Sequence, residues 1–229
     1  RYFEYTPAPL RISPGSEPVD IVVYDFGAVS VIYRVPLRGE FSNLLKVSAE
    51  LYENDTMLSD SRRRVEELLR LIEPAVSKPG ISTFVEDYLI FQIESFTEPI
   101  RLEELVTRYS SQIAQILRAE PRELSADEVK DALSHRISYG VDDVAIVDWN
   151  AALLVDKEPE DVLTVLEFAN VALLEMRFLD QRLDEALDLS YKRLSRRSRK
   201  WLPFQSNPAD LRDISQWQVD SAILFEGVN

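Results

Sequence analysis

Two aspartates and one run of cations are the residues whose types and spacing offer chemistry in this 229-residue chain. Asp25, in Asp25-Phe26-Gly27, and Asp148, in Asp148-Trp149-Asn150, each interrupt an apolar segment where a turn is expected. Two carboxylates meeting at such tips would bind a hard cation through oxygen, or act as acid and base. Each can equally hydrogen-bond the backbone of its own turn, which a short aspartate side chain does readily. Lys192, Arg193, Arg196, Arg197, Arg199 and Lys200 form a basic run with no carboxylate inside it. Such a run grips an anionic lipid, RNA or an acidic partner, or complements the negative end of a helix.

Composition removes most other chemistry. Without cysteine there is no disulfide, thiolate zinc site or cysteine nucleophile, and a single histidine, His135, cannot build a multi-histidine zinc site. The six glycines show neither Rossmann nor P-loop spacing, and no Gly-x-Ser-x-Gly elbow occurs. A formal net charge of −14 and a pI near 4.6 make the average surface repel phosphate, so nucleic acid is not an expected partner. No cofactor is expected. No uninterrupted apolar run reaches membrane-spanning length, so the expected location is the cytoplasm, with peripheral membrane contact open to the basic run. Both ends of the chain read as points where a longer protein continues.

The elements that must position the aspartates are two hairpins. Laying Ile21–Ile32 over Val144–Val155 without a gap sets apolar on apolar in nearly every column and Asp-aromatic-Gly/Asn-Ala at the centre. Gly27 and Asn150 are the residue types that enter left-handed backbone most readily, so both copies ask for the same turn. Around them the spacing predicts helices over Ser42–Glu53, with Ser42 as cap, and Ser61–Glu73. A strand over Phe84–Phe96, an amphipathic helix over Pro99–Arg118 and a capped helix opening at Ser125-Ala-Asp-Glu128 follow. Arg1–Pro18 reads as an extended arm with an edge strand at Tyr2–Tyr5.

From Pro159 to about Trp201 the pattern is one long helix, with proline and acidic residues at its start. Val162–Met176 is apolar almost all round and is expected to be buried. Beyond it the pattern narrows to a stripe of Leu179, Leu183, Leu187, Tyr191 and Leu194. Some 40 helical residues would be about 60 Å long. A globule of this mass is about 45 Å across, so part of the helix must project and find a partner for its stripe. A second amphipathic segment from Asn207-Pro208, with Leu211, Ile214, Ala222, Phe225 and Val228, can supply one; so can another subunit.

Val23-Tyr-Asp-Phe-Gly-Ala-Val29 and Leu174-Glu-Met-Arg-Phe-Leu-Asp-Gln-Arg-Leu183 resemble motifs of uncharacterised bacterial proteins and, more remotely, of the required-for-meiotic-nuclear-division family of mitochondrial and fungal proteins. That resemblance carries over no catalytic residue, and it implies association with organelle membranes and support of mitochondrial translation.

The fold class expected is α+β: an antiparallel sheet with two related hairpins, at 19–36 and 141–156, and helices packed on one face of it. Residues 1–157 form this domain, and 158–229 form a long projecting helical hairpin. The expected function is a non-catalytic interaction or scaffold protein, a homo-oligomer joined through Leu179, Leu183, Leu187, Tyr191 and Leu194. The alternatives are a metal-assisted hydrolase or phosphoryl-transfer enzyme using Asp25 and Asp148, and anion binding through Arg193, Arg196, Arg197, Arg199 and Lys200.

Overall fold

The computed structural model describes residues 10–12, 19–52, 54–77 and 79–198, with side chains of 19–192 in that set. Among the described residues the architecture is α+β, with two sheets and six α-helices, the last of them long. One compact unit comprises Leu10–Val23 and Val29–Leu174. The other contains, among the described residues, Tyr24–Ala28 and the chain from Glu175 onward.

The first sheet is antiparallel and runs β1 (Leu10–Ile12), β2 (Val19–Val23), β3 (Val29–Tyr33). The second has the order β4 (Leu89–Ile93), β7 (Ala151–Val155), β6 (Val144–Val147), β5 (Arg136–Ile137), with β4 parallel to β7 and the other pairs antiparallel. The two hairpins thus lie in different sheets, and the second sheet is mixed. The expected strand over Phe84–Phe96 contracts to β4, and the edge strand expected at Tyr2–Tyr5 lies outside the described residues.

β7 explains the layering. All five of its residues are buried, because alternate side chains point into two different cores. On one face Ala151, Leu153 and Val155 join Phe91, Val144 and Ile146 against three helices: α1 (Asn43–Leu51), α3 (Leu102–Arg108) and α4 (Ser110–Arg118). On the other, Ala152 and Leu154 with Ala145 meet Val162, Leu163 and Leu166, the opening turns of α6 (Glu160–Ser198). Helices therefore cover both faces of this sheet rather than one. Ala145 and Ala152 keep the α6 side shallow, so the helix approaches closely. Each fully buried leucine or isoleucine contributes on the order of 2–3 kcal/mol.

The helix expected over Pro99–Arg118 divides at Tyr109, whose backbone (φ −108°, ψ 17°) leaves the helical range between α3 and α4. Ile113, Ala114, Ile116 and Leu117 of α4 are wholly buried. Ser48 is the polar residue in this layer: its hydroxyl, fully buried, donates to Ile116 O at 2.6 Å and ties α1 to α4. Ser42 accepts no cap hydrogen bond, contrary to expectation; its hydroxyl donates to Glu40 instead. α2 (Asp55–Ile72) starts six residues earlier than expected because Asn54 caps it, accepting from the Met57 amide at 3.0 Å. Before α5 (Ala126–Ala132), the Ser125 cap forms as expected, accepting from the Glu128 amide.

α2 is fastened to β3 through Asp60. Its Oδ2 accepts from Tyr33 Oη at 2.7 Å and Arg64 Nε at 2.7 Å, while Oδ1 accepts from Arg63. Arg64, then Arg63 and Tyr33, hold the Asp60 carboxyl far below its ordinary range. Burial, then the bond to Asp60, pushes the Tyr33 phenol up to about 12.

α6 runs unbroken for 39 residues, about 58 Å. Its first half is buried on one side only: Leu166 and Val171 are covered, whereas Val165 and Met176 are exposed. The expectation of all-round burial over Val162–Met176 fails because only one sheet face is presented to it.

Two outcomes follow. Asp60→Asn should lower the melting temperature at neutral pH. A depressed carboxyl stabilises the fold above its ordinary value near 3.8 and loses that contribution as pH falls toward the folded value, so the deficit should close below about pH 4 in a calorimetric series. Ala119, which ends α4 in left-handed backbone (φ 50°, ψ 31°), should accept glycine with a gain of about 0.5–1 kcal/mol in denaturant unfolding.

Candidate functional site

The hairpin tips form first from local chemistry. In β2–β3 the Tyr24 amide bonds Ala28 O and the Gly27 amide bonds Tyr24 O, closing a three-residue turn with Gly27 at φ +98°. In β6–β7 the Asp148 amide bonds Ala151 O at 2.9 Å, which leaves a two-residue turn of Trp149 and Asn150. Asn150 does not take left-handed backbone, so the shared turn expected for Gly27 and Asn150 does not form. Its role is different. Asn150 is buried and its carbonyl accepts from Leu89, seating the start of β4.

Around the second tip the structure builds a charge cluster on Arg118, the last residue of α4. Its side chain is 13% exposed. Nε donates to Asp148 Oδ2 at 2.9 Å, Nη2 to Asp131 Oδ2 at 2.6 Å, and Nη1 to Glu128. The other Asp148 oxygen accepts from the Trp149 amide at 2.9 Å, and Tyr88 Oη donates to Asp148 O. Burial, then the nearby Asp148 charge, pushes the Tyr88 phenol above its ordinary range.

Ala119 and Glu120 close α4 by bonding Ile116 O and Gln115 O, so the guanidinium is carried on a fixed helix end. One cation among three carboxylates clamps α4, α5 and the hairpin tip together. Both Asp148 oxygens are engaged, so a metal there would have to displace Arg118. Trp149 stands outside the clamp, 65% exposed.

The remaining sequence candidates fall elsewhere. Asp25 belongs to the other unit and is exposed; Glu175 lies in that unit too, its carboxyl raised by burial and then by Asp25. Among the described residues no group of three or more histidine, aspartate or glutamate side chains is arranged to hold a metal. Along α6, Leu179 is half-buried, and Leu183, Leu187 and Tyr191 are 44%, 55% and 68% exposed. Leu194, Arg193, Arg196 and Arg197 lie on α6 beyond the described side chains. Arg199 and Lys200, like the segment from Asn207, lie outside the described residues. No described helix is long and apolar enough to cross a membrane.

Sequence reasoning had no entry to Arg118, because its acceptors come from 10, 13 and 30 residues away. A weak signal exists: Glu128 and Asp131 share one face of a capped helix, which invites a cation.

Removing one partner of this mostly buried pair should be costly. Arg118→Met is expected to lose roughly 2–4 kcal/mol in urea unfolding, by stranding Asp148. Arg118→Met/Asp148→Leu should recover part of that loss; an additive double variant would show that the pair is not coupled.

Comparisons place the chain among known sequences. The family model described as "Uncharacterized protein MJ0711, N-terminal domain" matches residues 1–161. Uncharacterized protein MJ0711 of Methanocaldococcus jannaschii is 24% identical over 179 residues, covering 77% of this chain and 49% of the relative. The chain thus spans about half the length of that curated relative, which is archaeal rather than bacterial. No solved structure matches. By its match over 1–161 the chain belongs to the MJ0711 N-terminal domain family.

Proposed function

We propose that the protein is a non-catalytic interaction or scaffold protein that self-associates through the second half of α6. The observation that carries this is the apolar stripe of Leu183, Leu187 and Tyr191, left between 44% and 68% exposed on a helix far longer than the sheet it packs against. A stripe of this length in water is unfavourable, and a second copy of the same helix buries it by side-chain interdigitation. The closed Arg118 clamp favours the same reading, because its polar atoms hold one another rather than a substrate.

A remote kinship with the required-for-meiotic-nuclear-division family, which the resemblance of Val23–Val29 and Leu174–Leu183 suggests, would bring no catalytic residue. The protein would work in the cytoplasm. Static light scattering tests the proposal. The wild type should give the mass of a dimer or higher oligomer, and Leu183→Glu/Leu187→Glu should give a monomer with unchanged helicity. A monomeric wild type removes the proposal.

A further inference from the structure

β4 stands at one edge of the mixed sheet, with β7 on its inner side. Its parallel register fixes which backbone groups are engaged. The Leu89 amide donates to Asn150 O and Ile93 O accepts from the Asp156 amide, both at 3.3 Å, so Leu89, Phe91 and Ile93 turn their amides and carbonyls toward β7. Ile90 and Gln92, one residue out of phase, turn theirs the other way. Among the described residues nothing bonds these two amides and two carbonyls. The side chains are incompletely covered for the same reason. Leu89, Ile90 and Ile93 are half-buried and Gln92 is exposed, whereas every residue of β7, one strand inward, is buried.

Charge along this edge has one sign. Residues 79–100 carry four carboxylates, Glu86, Asp87, Glu94 and Glu98, and no cation. Asp87 and Glu94, which bracket β4, are exposed and make no ion pair among the described residues.

We propose that the outward edge of β4 accepts a further strand from a partner protein: an extended segment with apolar residues at alternate positions and lysine or arginine at both ends. Its backbone completes the hydrogen bonds of Ile90 and Gln92, its apolar side chains cover Leu89 and Ile93, and its end cations meet Asp87 and Glu94. A second copy of β4 fits this edge poorly. Laid antiparallel and centred on Phe91, it brings Glu94 of one copy beside Asp87 of the other at both ends, and like charges so placed oppose pairing. Strand addition here does not require the association proposed for α6.

Fluorescence anisotropy on the whole chain tests this with a labelled peptide of alternating valine and threonine carrying two lysines at each end, against the same peptide with glutamates in their place. The lysine peptide is expected to bind, about tenfold more tightly than the glutamate peptide at low salt. Asp87→Asn/Glu94→Gln should remove most of that preference. Gln92→Pro is the sharper variant: an edge strand tolerates proline where its N–H faces outward, so the fold stands while one docking amide is lost, and affinity should fall about tenfold. Amide exchange on the unmodified chain reads the edge without substitution. Ile90 and Gln92 should exchange freely while Phe91 and Ile93 are protected, and the lysine peptide should slow the first pair about tenfold. Equal affinity for the two peptides, undiminished binding to Gln92→Pro, or unslowed exchange at Ile90 and Gln92 overturns the proposal. Protection of Ile90 and Gln92 before the peptide is added overturns it too, because the edge is then already occupied. So does a fall in molecular mass on Gln92→Pro, which gives the edge to a second copy.

Discussion

A strand buried on both faces has no side chain to spare for water, and the structure depends on that constraint at β7. Ala151, Leu153 and Val155 require one helical layer, and Ala152 and Leu154 require another. The first is supplied by α1, α3 and α4, the second by the opening turns of α6. The long helix is therefore no appendage. Its opening turns complete the core.

The polar features follow from the same layering. Ser48 is tolerated at the α1–α4 contact because a helix carbonyl stands ready for its hydroxyl, and Arg118 is tolerated at the rim because three carboxylates reach it. Both are internally satisfied, which is what a buried polar group requires. The α6 stripe is the opposite case, apolar surface without a partner in the described chain.

Several elements could be read from the residues alone. The run Ala151–Val155 could be read as a strand, though not that helices cover both of its faces, and proline with acidic residues marks the start of α6. What escaped was decided by distant partners. Asn150 looked like the counterpart of Gly27, but its two-residue turn takes no left-handed backbone there, and the Leu89 amide, far back in the chain, takes its carbonyl. Val162–Met176 looked buried all round, but a periodicity cannot reveal how many neighbours exist. Arg118 stood only as the last residue of an expected helix, because nothing local shows that Asp148, Asp131 and Glu128 will meet there.

The parallel pairing of β4 with β7 has a consequence for how the chain is made. When Leu89–Ile93 leaves the ribosome, the strand that must pair with it has not been synthesised, and about 60 residues separate the two. At about 5–20 residues per second, that apolar segment waits roughly 3–12 s with both edges open. Glu86 and Asp87 precede it and Glu94 follows it. Flanking carboxylates of this kind discourage nascent chains from pairing with one another. The acidity of this protein thus has a use during synthesis, in keeping β4 solitary until its own β7 arrives.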